Sequence, residues 1–255
     1  MFADVTSANV VGYAQNGKKT GYAFACFGSS FVKPGTTGYT LKDLEIKLPA
    51  TVKSQTVARG NYIQFFATGT LLKVDPDRKF YQWQGQWYRS YGSGIATDVP
   101  VEKPEEITMS IGEGFVTKIP TANAAVQYAG EVISGGESKT LSVGKIGSYA
   151  FSVLANPCPY DITLKDLDIA LPASVKSQTV ARGNYIQLLA TGNLLKVDAD
   201  SKFYKWQGTW YRSYGSGIAT DIPLEKPEEI KILANEGFIA KLGTKDAKVV
   251  FPTAL

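Results

Sequence analysis

KFYQWQGQWYR, residues 79–89, is two short aromatic-rich runs around a glycine, and it reads as a β-hairpin. It returns as KFYKWQGTWYR at residues 202–212. The two versions differ at Gln82, which becomes Lys205, and at Gln86, which becomes Thr209. Both exchanges are polar and read as solvent-facing. A three-residue loop then puts Tyr81, Trp83 and Trp87 on one face and Gln82 on the other, with Gly85 or a neighbour at positive φ. A two-residue loop mixes Gln82 with Trp87. The exchanges favour the three-residue loop.

Outward from the hairpin, Thr40 to Lys118 matches Thr163 to Lys241 at a constant offset of 123. About three-quarters of those positions are identical, far beyond chance self-similarity. The longest shared blocks are VKSQTVARGNYIQ, WYRSYGSGIATD and EKPEEI. Tyr22-Ala23-Phe24 aligns with Tyr149-Ala150-Phe151, and Ala125-Val126-Gln127-Tyr128 with Lys248-Val249-Val250-Phe251. The chain divides into copy 1, residues 1–129, and copy 2, residues 130–255. No Pro/Ser/Gly linker separates them, which argues for two domains packed together.

Within a copy the pattern is β. Runs rich in Val, Ile, Tyr and Phe are broken by turn signals at Asn16-Gly17, Arg59-Gly60-Asn61, Gly85, Gly92-Ser93-Gly94 and Gly112. Leu41-Lys42-Asp43-Leu44 fits one helical turn, and nothing shows the ten or more residues of periodicity that a long helix needs. The fold class is all-β: two tandem homologous domains of β-sandwich or jelly-roll type, related by internal duplication. Phe65-Phe66 becomes Leu188-Leu189 and Val99 becomes Ile222, apolar exchanges of the kind core positions allow.

Composition narrows the function. The net charge of +4 comes from scattered Lys and Arg, so it reads as a mildly basic surface without a nucleic-acid footprint. There is no His, which removes the commonest general base, the usual triads and most zinc and copper sites. No apolar run approaches the roughly 18–20 residues of a spanning helix. The start of the chain, MFADVTSA, has no basic segment followed by an apolar run. The expectation is a protein without cofactor, metal or membrane span, either cytosolic or with its leader already removed.

Several short motifs occur in a fixed order. Ala8-Asn9-Val10-Val11-Gly12-Tyr13 opens the chain, and a Tyr-Ala-Phe strand leads to Ala155-Asn156-Pro157. A Tyr-x-Trp-x-Gly hairpin follows at 81–85 and 204–208, then Glu-Gly-Phe at 113–115 and 236–238, and a final Gly130-Glu131-Val132. This order resembles a group of secreted, tandem-repeat, β-rich proteins of environmental bacteria that has no established activity. The resemblance covers most of each copy and implies export and an extracellular or cell-surface place. Copy 1 departs from it, with Gly28-Ser29-Ser30 where Ala-Asn-Pro would stand.

The hairpin aromatics Tyr81, Trp83, Trp87 and Tyr88, with Tyr204, Trp206, Trp210 and Tyr211, are candidates for stacking on sugar rings, or else they fill a core or a subunit contact. Asp75 and Asp77, with Asp198 and Asp200, read as turns rather than a calcium loop. Glu113 and Glu236 read as turn residues rather than a glycosidase pair. Arg59-Gly60-Asn61 reads as a hairpin tip. Cys26 and Cys158 occupy equivalent regions of the two copies and form one interdomain disulfide if their strands meet.

No catalytic residue stands out. The leading expectation is a non-enzymatic extracellular structural protein whose partner is itself, a subunit of a filament, sheath or surface layer. Terminal strands are the candidate assembly surfaces: Val10, Val11 and Tyr13 at one end, Val249, Val250 and Phe251 at the other. Glu131-Val132-Ile133 reads as the second copy's counterpart of the opening strand. The alternative is a carbohydrate-binding or adhesin module that takes glycans on the aromatic hairpins.

Overall fold

The computed structural model of the chain describes residues 11–17, 24–28, 31–32, 38–65, 78–132, 142–144, 151–188, 202–234 and 236–252. Copy 1 contributes β1 (Val11–Gly17), β2 (Phe24–Gly28), β3 (Phe31–Val32), β4 (Gly38–Thr40), β5 (Glu45–Lys47), α1 (Gln55–Gly60), β6 (Tyr62–Phe65), β7 (Arg78–Trp83), β8 (Gln86–Ser90), β9 (Val99–Pro100), β10 (Thr108–Ser110), β11 (Gly114–Lys118) and β12 (Ala125–Val132). Copy 2 contributes β13 (Ser142–Gly144), β14 (Phe151–Ala155), β15 (Ile162–Thr163), β16 (Asp168–Ala170), α2 (Gln178–Arg182), β17 (Asn184–Gln187), β18 (Lys202–Trp206), β19 (Thr209–Ser213), β20 (Ile222–Pro223), β21 (Lys231–Ile232), β22 (Gly237–Leu242) and β23 (Lys248–Val250). The protein is all-β, with two short helices among the described residues.

Each copy is built on a six-stranded antiparallel sheet. The order is β2-β11-β6-β7-β8-β9 in the first and β14-β22-β17-β18-β19-β20 in the second. Smaller sheets close the other side: β1-β12-β3 with β5 also on β12, and β4-β10, in copy 1; β13-β23-β16, and β15-β21, in copy 2. The core of copy 1 lies between these layers. Ile63, Phe65, Phe80, Trp87 and Phe115 from the large sheet meet Tyr39, Ile46, Met109, Val126 and Tyr128 from the small ones. Copy 2 packs Ile186, Phe203, Trp210, Phe238 and Leu242 against Ile162, Ile169, Ile232, Val249 and Phe251. Period-2 alternation explains the layering: in β11, Phe115 and Thr117 point inward while Val116 points out.

The outward face has its own partner. Val116 of β11 packs with Val153 of β14 and Ile239 of β22, a small apolar cluster that joins the two large sheets. The backbone joins too, the Ala155 N–H donating to the Gly112 carbonyl at 3.0 Å and Glu113 bridging Leu154. β12 runs through the boundary expected at residue 129, and Glu131 and Val132 pair with β1 and β3 of copy 1. The counterpart of β1 is therefore β13, not Glu131-Val132: Gly17 pairs with Ala125, and Gly144 with Lys248.

The hairpin register differs from the expectation. The loop has two residues, with Trp83 opposite Gln86, Gln82 opposite Trp87 and Tyr81 opposite Tyr88. Gln84 (φ 50°) and Gly85 (φ 80°) are both left-handed, as are Gln207 (49°) and Gly208 (82°). Two central residues at positive φ mark the tight turn whose twist matches that of paired strands. Trp87 therefore shares a face with Gln82, and Tyr81 lies on the other. Gln82 is half-buried, its Oε1 accepting the Ile46 N–H at 2.9 Å. In copy 2 the partner Lys205 instead pairs with Asp168 at 3.0 Å, where copy 1 has Glu45. Val99 and Ile222 are not core residues either; they sit half-exposed on the edge strands β9 and β20.

A left-handed Gln carries a steric cost that Asn largely avoids. Gln84→Asn together with Gln207→Asn should raise unfolding stability by roughly 0.5–1 kcal/mol per site, read as a higher urea midpoint at unchanged slope. An unchanged or lower midpoint would contradict the turn assignment.

Candidate functional site

Directly after β5 the chain turns and enters VKSQTVARGN. Ser54 stands at the N-cap of α1, and Ala58 is buried on the face turned to the sheet. Asn61 ends the helix. Its buried amide donates to the Val57 carbonyl (2.8 Å) and the Thr121 hydroxyl (2.7 Å), and its Oδ1 accepts the Thr121 N–H (3.2 Å). Arg59-Gly60-Asn61 is thus a helix end tied to the loop after β11, not a hairpin tip. Thr244 holds Asn184 in the same way in copy 2.

Under α1 lies a polar cluster. Tyr81 of β7 is wholly buried on the outer face of the sheet. It donates to Asp98 Oδ2 at 2.9 Å and accepts from Gln55 Nε2 at 2.8 Å. Arg59 Nε pairs with the same Asp98 oxygen at 2.8 Å and reaches the Ser90 hydroxyl at 3.1 Å. The Asp98 side chain is fully enclosed, and its other oxygen accepts the Tyr91 N–H at 3.4 Å. Tyr88 stacks on Tyr81 with ring centroids 5.3 Å apart. Copy 2 repeats the set: Tyr204 with Gln178 and Asp221, Arg182 with Asp221 and Ser213, and Tyr211 stacked at 5.2 Å. Burial pushes both tyrosines up from the usual 10 to about 12, with the carboxylate acting in the same direction. The phenols stay protonated, and a protonated phenol on an enclosed carboxylate is a cross-link.

The hairpin aromatics, candidates for a sugar platform or for packing, do not share one exposed face. Tyr81, Tyr204, Trp87 and Trp210 are buried, and they lie on opposite faces of the sheets. Trp83, Tyr88, Trp206 and Tyr211 are half-buried. A groove of about 520 Å³ does open beside the hairpin tip, lined by Trp83 with Glu45, Pro49, Val52 and Lys53.

The remaining candidates separate. Cys158 is a free thiol inside the core of copy 2, and burial pushes it up. Cys26 is on β2 opposite Val116, beside the seam between the copies, so the expected disulfide is not made. Glu113 accepts the Ser110 N–H at 2.8 Å and Glu236 the Leu233 N–H at 3.1 Å, each closing the turn before its strand. Asp75, Asp77, Asp198 and Asp200 lie outside the described residues, as does Val10. Val11 and Tyr13 are in β1, paired on one side to β12. Val249 and Val250 are in β23, which has β13 on one side and β16 on the other, so this strand offers no open edge. Phe251 is buried in the core. Among the described residues no three His, Cys, Asp or Glu gather as a metal site, and no helix is long and apolar enough to cross a membrane.

No family model, curated protein or solved structure matches the chain. Sequence reasoning passed over Gln55, Ser90 and Asp98, and it read Arg59 only as part of a hairpin tip. Their signal was present, since all four fall in blocks that recur unchanged between the copies.

Tyr81→Phe removes a donor from an enclosed carboxylate and should cost about 1–3 kcal/mol; Tyr204→Phe should match it. The phenols also set a pH window. Their folded values lie above the unfolded ones, so stability is intact below pH 10 and falls as pH rises towards 12, because the unfolded chain ionises first. Urea unfolding between pH 9 and 12 should show a shallower fall in the double Phe variant than in the parent. Equal slopes would refute the assignment.

Proposed function

We propose that this chain is a structural subunit that polymerises, outside the cell or at its surface, by strand addition between chains. One observation carries the reading: β1 and β13 are both edge strands, at matching places in sheets of like order. Gly17 aligns through Ala125 with Lys47 on β5, and Gly144 through Lys248 with Ala170 on β16. Among the described residues, each chain thus carries two related open edges. Pairing β1 of one chain with β13 of the next is heterologous, and repeated without closure it generates a filament. The edges β9 and β20 of the large sheets are less suited to this. β9 and β20 are two residues long and contain Pro100 and Pro223, which lack the N–H that a new strand needs. The extracellular setting rests on the resemblance given above.

A second reading, glycan binding, draws support from the groove beside Trp83 rather than from an aromatic platform.

Light scattering and negative-stain imaging of the intact chain should show polymers whose length grows with concentration. Val11→Lys with Tyr13→Lys and Ser142→Lys places charge on both edges and should raise the critical concentration at least tenfold, about 1.4 kcal/mol per contact. An intact chain that stays monomeric at high concentration defeats the proposal, and so does a variant that polymerises equally. Monodisperse particles that bind neutral glycans would favour the second reading.

A further inference from the structure

A second concavity, of about 310 Å³, lies where α1 meets the outer face of the large sheet. Arg59 of α1, Lys79 of β7 and Lys118 of β11 line it, with Tyr62, Ser90 and Thr56. Among the described residues no acidic side chain lines it. Asp98 sits behind Arg59, enclosed and committed to Tyr81 and the Arg59 Nε. The guanidinium has donors to spare, since its Nη2 is buried with no acceptor among the described residues. Both ammonium groups lie over the Tyr62 ring, Lys79 Nζ at 5.2 Å and Lys118 Nζ at 5.8 Å from its centroid. Two ammonium groups thus lie over one ring, which gathers positive charge at this concavity.

Copy 2 keeps this set without change. Arg182, Lys202, Lys241, Tyr185, Ser213 and Thr179 stand at the equivalent positions. Lys202 and Lys241 lie over the Tyr185 ring at 5.2 and 5.6 Å. The groove beside Trp83 behaves differently, since its Glu45 and Gln82 become Asp168 and Lys205 and a salt bridge appears there. Of the two concavities, the basic one is held constant in its charges.

We propose that each basic pocket binds a tetrahedral oxyanion, and that the pair takes the sulfate or phosphate esters of an acidic polysaccharide. Three cations and two hydroxyls converge from four elements, α1, β7, β8 and β11, which suits a multiply charged tetrahedral group. The volume is at the lower end of the range for small-ligand sites, about 300–1,000 Å³. Two sites on one chain favour a polymer bearing repeated groups, whose second contact forms at high effective concentration. Single-stranded nucleic acid fits less well. It wants free ring faces for its bases, and the faces of Tyr62 and Tyr185 are taken by lysines. This proposal does not depend on polymerisation of the chain.

The test is titration of the intact chain with dextran sulfate, dextran phosphate, neutral dextran, inorganic sulfate and a single-stranded DNA of matched charge density. Binding to one or both esterified dextrans, weakening with salt, is expected, and their ratio identifies the ester. Inorganic sulfate should bind weakly at two sites. Lys79→Gln with Lys118→Gln should lower dextran-ester affinity at least tenfold, and adding Lys202→Gln with Lys241→Gln should abolish it. The corresponding Lys→Arg variants should retain it, which separates lost charge from lost fold. Equal binding of neutral dextran, DNA bound as tightly as the esters, Gln variants that bind like the parent, binding of inorganic sulfate alone, or no binding at all would each overturn the proposal.

Discussion

The turn Gln84-Gly85 fixes how each large sheet divides its side chains, and most other features depend on that division. With two residues in the loop, Phe80, Gln82 and Trp87 take the inner face, while Lys79, Tyr81, Trp83 and Tyr88 take the outer one. The inner set makes the core with the small sheets. The outer set has to be covered or solvated residue by residue. α1 covers Tyr81, copy 2 covers Val116, and Lys79 stays at the rim of the basic pocket. A loop longer by one residue would reverse every one of these placements on β8.

Covering Tyr81 puts a carboxylate and a guanidinium out of water, which by itself is unfavourable. The cluster offsets this by satisfying Asp98 on both oxygens, from Tyr81, Arg59 and the Tyr91 backbone. Each donor comes from a different element: α1, β7 and the segment after β8. The helix is only six residues long and would not form alone. It is held by Ala58 against the sheet and by Asn61 and Arg59 at its end. The polar cluster therefore fixes where α1 sits, and the position of α1 makes one wall of the pocket.

The all-β class was legible in the sequence, because period-2 runs are a strong signal, and the repeat is read directly from identity at constant offset. The hairpin register was not. Gln82 and Gln86 both exchange with polar residues, which looks like solvent exposure, yet Gln82 is an inward residue whose amide serves the Ile46 backbone. Val99 and Ile222 show the converse, an apolar exchange at half-exposed edge positions. In both cases side-chain chemistry was taken as a proxy for burial, and backbone hydrogen bonding or edge position had the stronger influence. The C-terminal strand differs from the expectation for another reason. Nothing in Val249-Val250-Phe251 reveals that two strands from elsewhere in the copy flank it. Of the site, the aromatic residues were named but their faces were misassigned, and the cations were not grouped because Arg59, Lys79 and Lys118 are far apart in sequence.

Two copies in one chain separate constraints imposed by packing from those imposed from outside. A packing constraint can be met in more than one way, provided the partners change together. Glu45 and Gln82 illustrate this: their counterparts Asp168 and Lys205 exchange a side-chain-to-backbone hydrogen bond for an ion pair at the same place. Phe65 and Leu188 illustrate it in the core, where both are buried. The basic pocket contains positions of comparable freedom. Lys79 and Thr56 are not enclosed, and a change at either would leave the core intact. Both nevertheless recur unchanged, together with Tyr62, Ser90, Arg59 and Lys118. Arg59 and Ser90 are accounted for by the cluster beneath α1, whereas Lys79 is not. The anion proposed above would act on the two copies alike, because it presents the same charge to both and cannot change to suit either one.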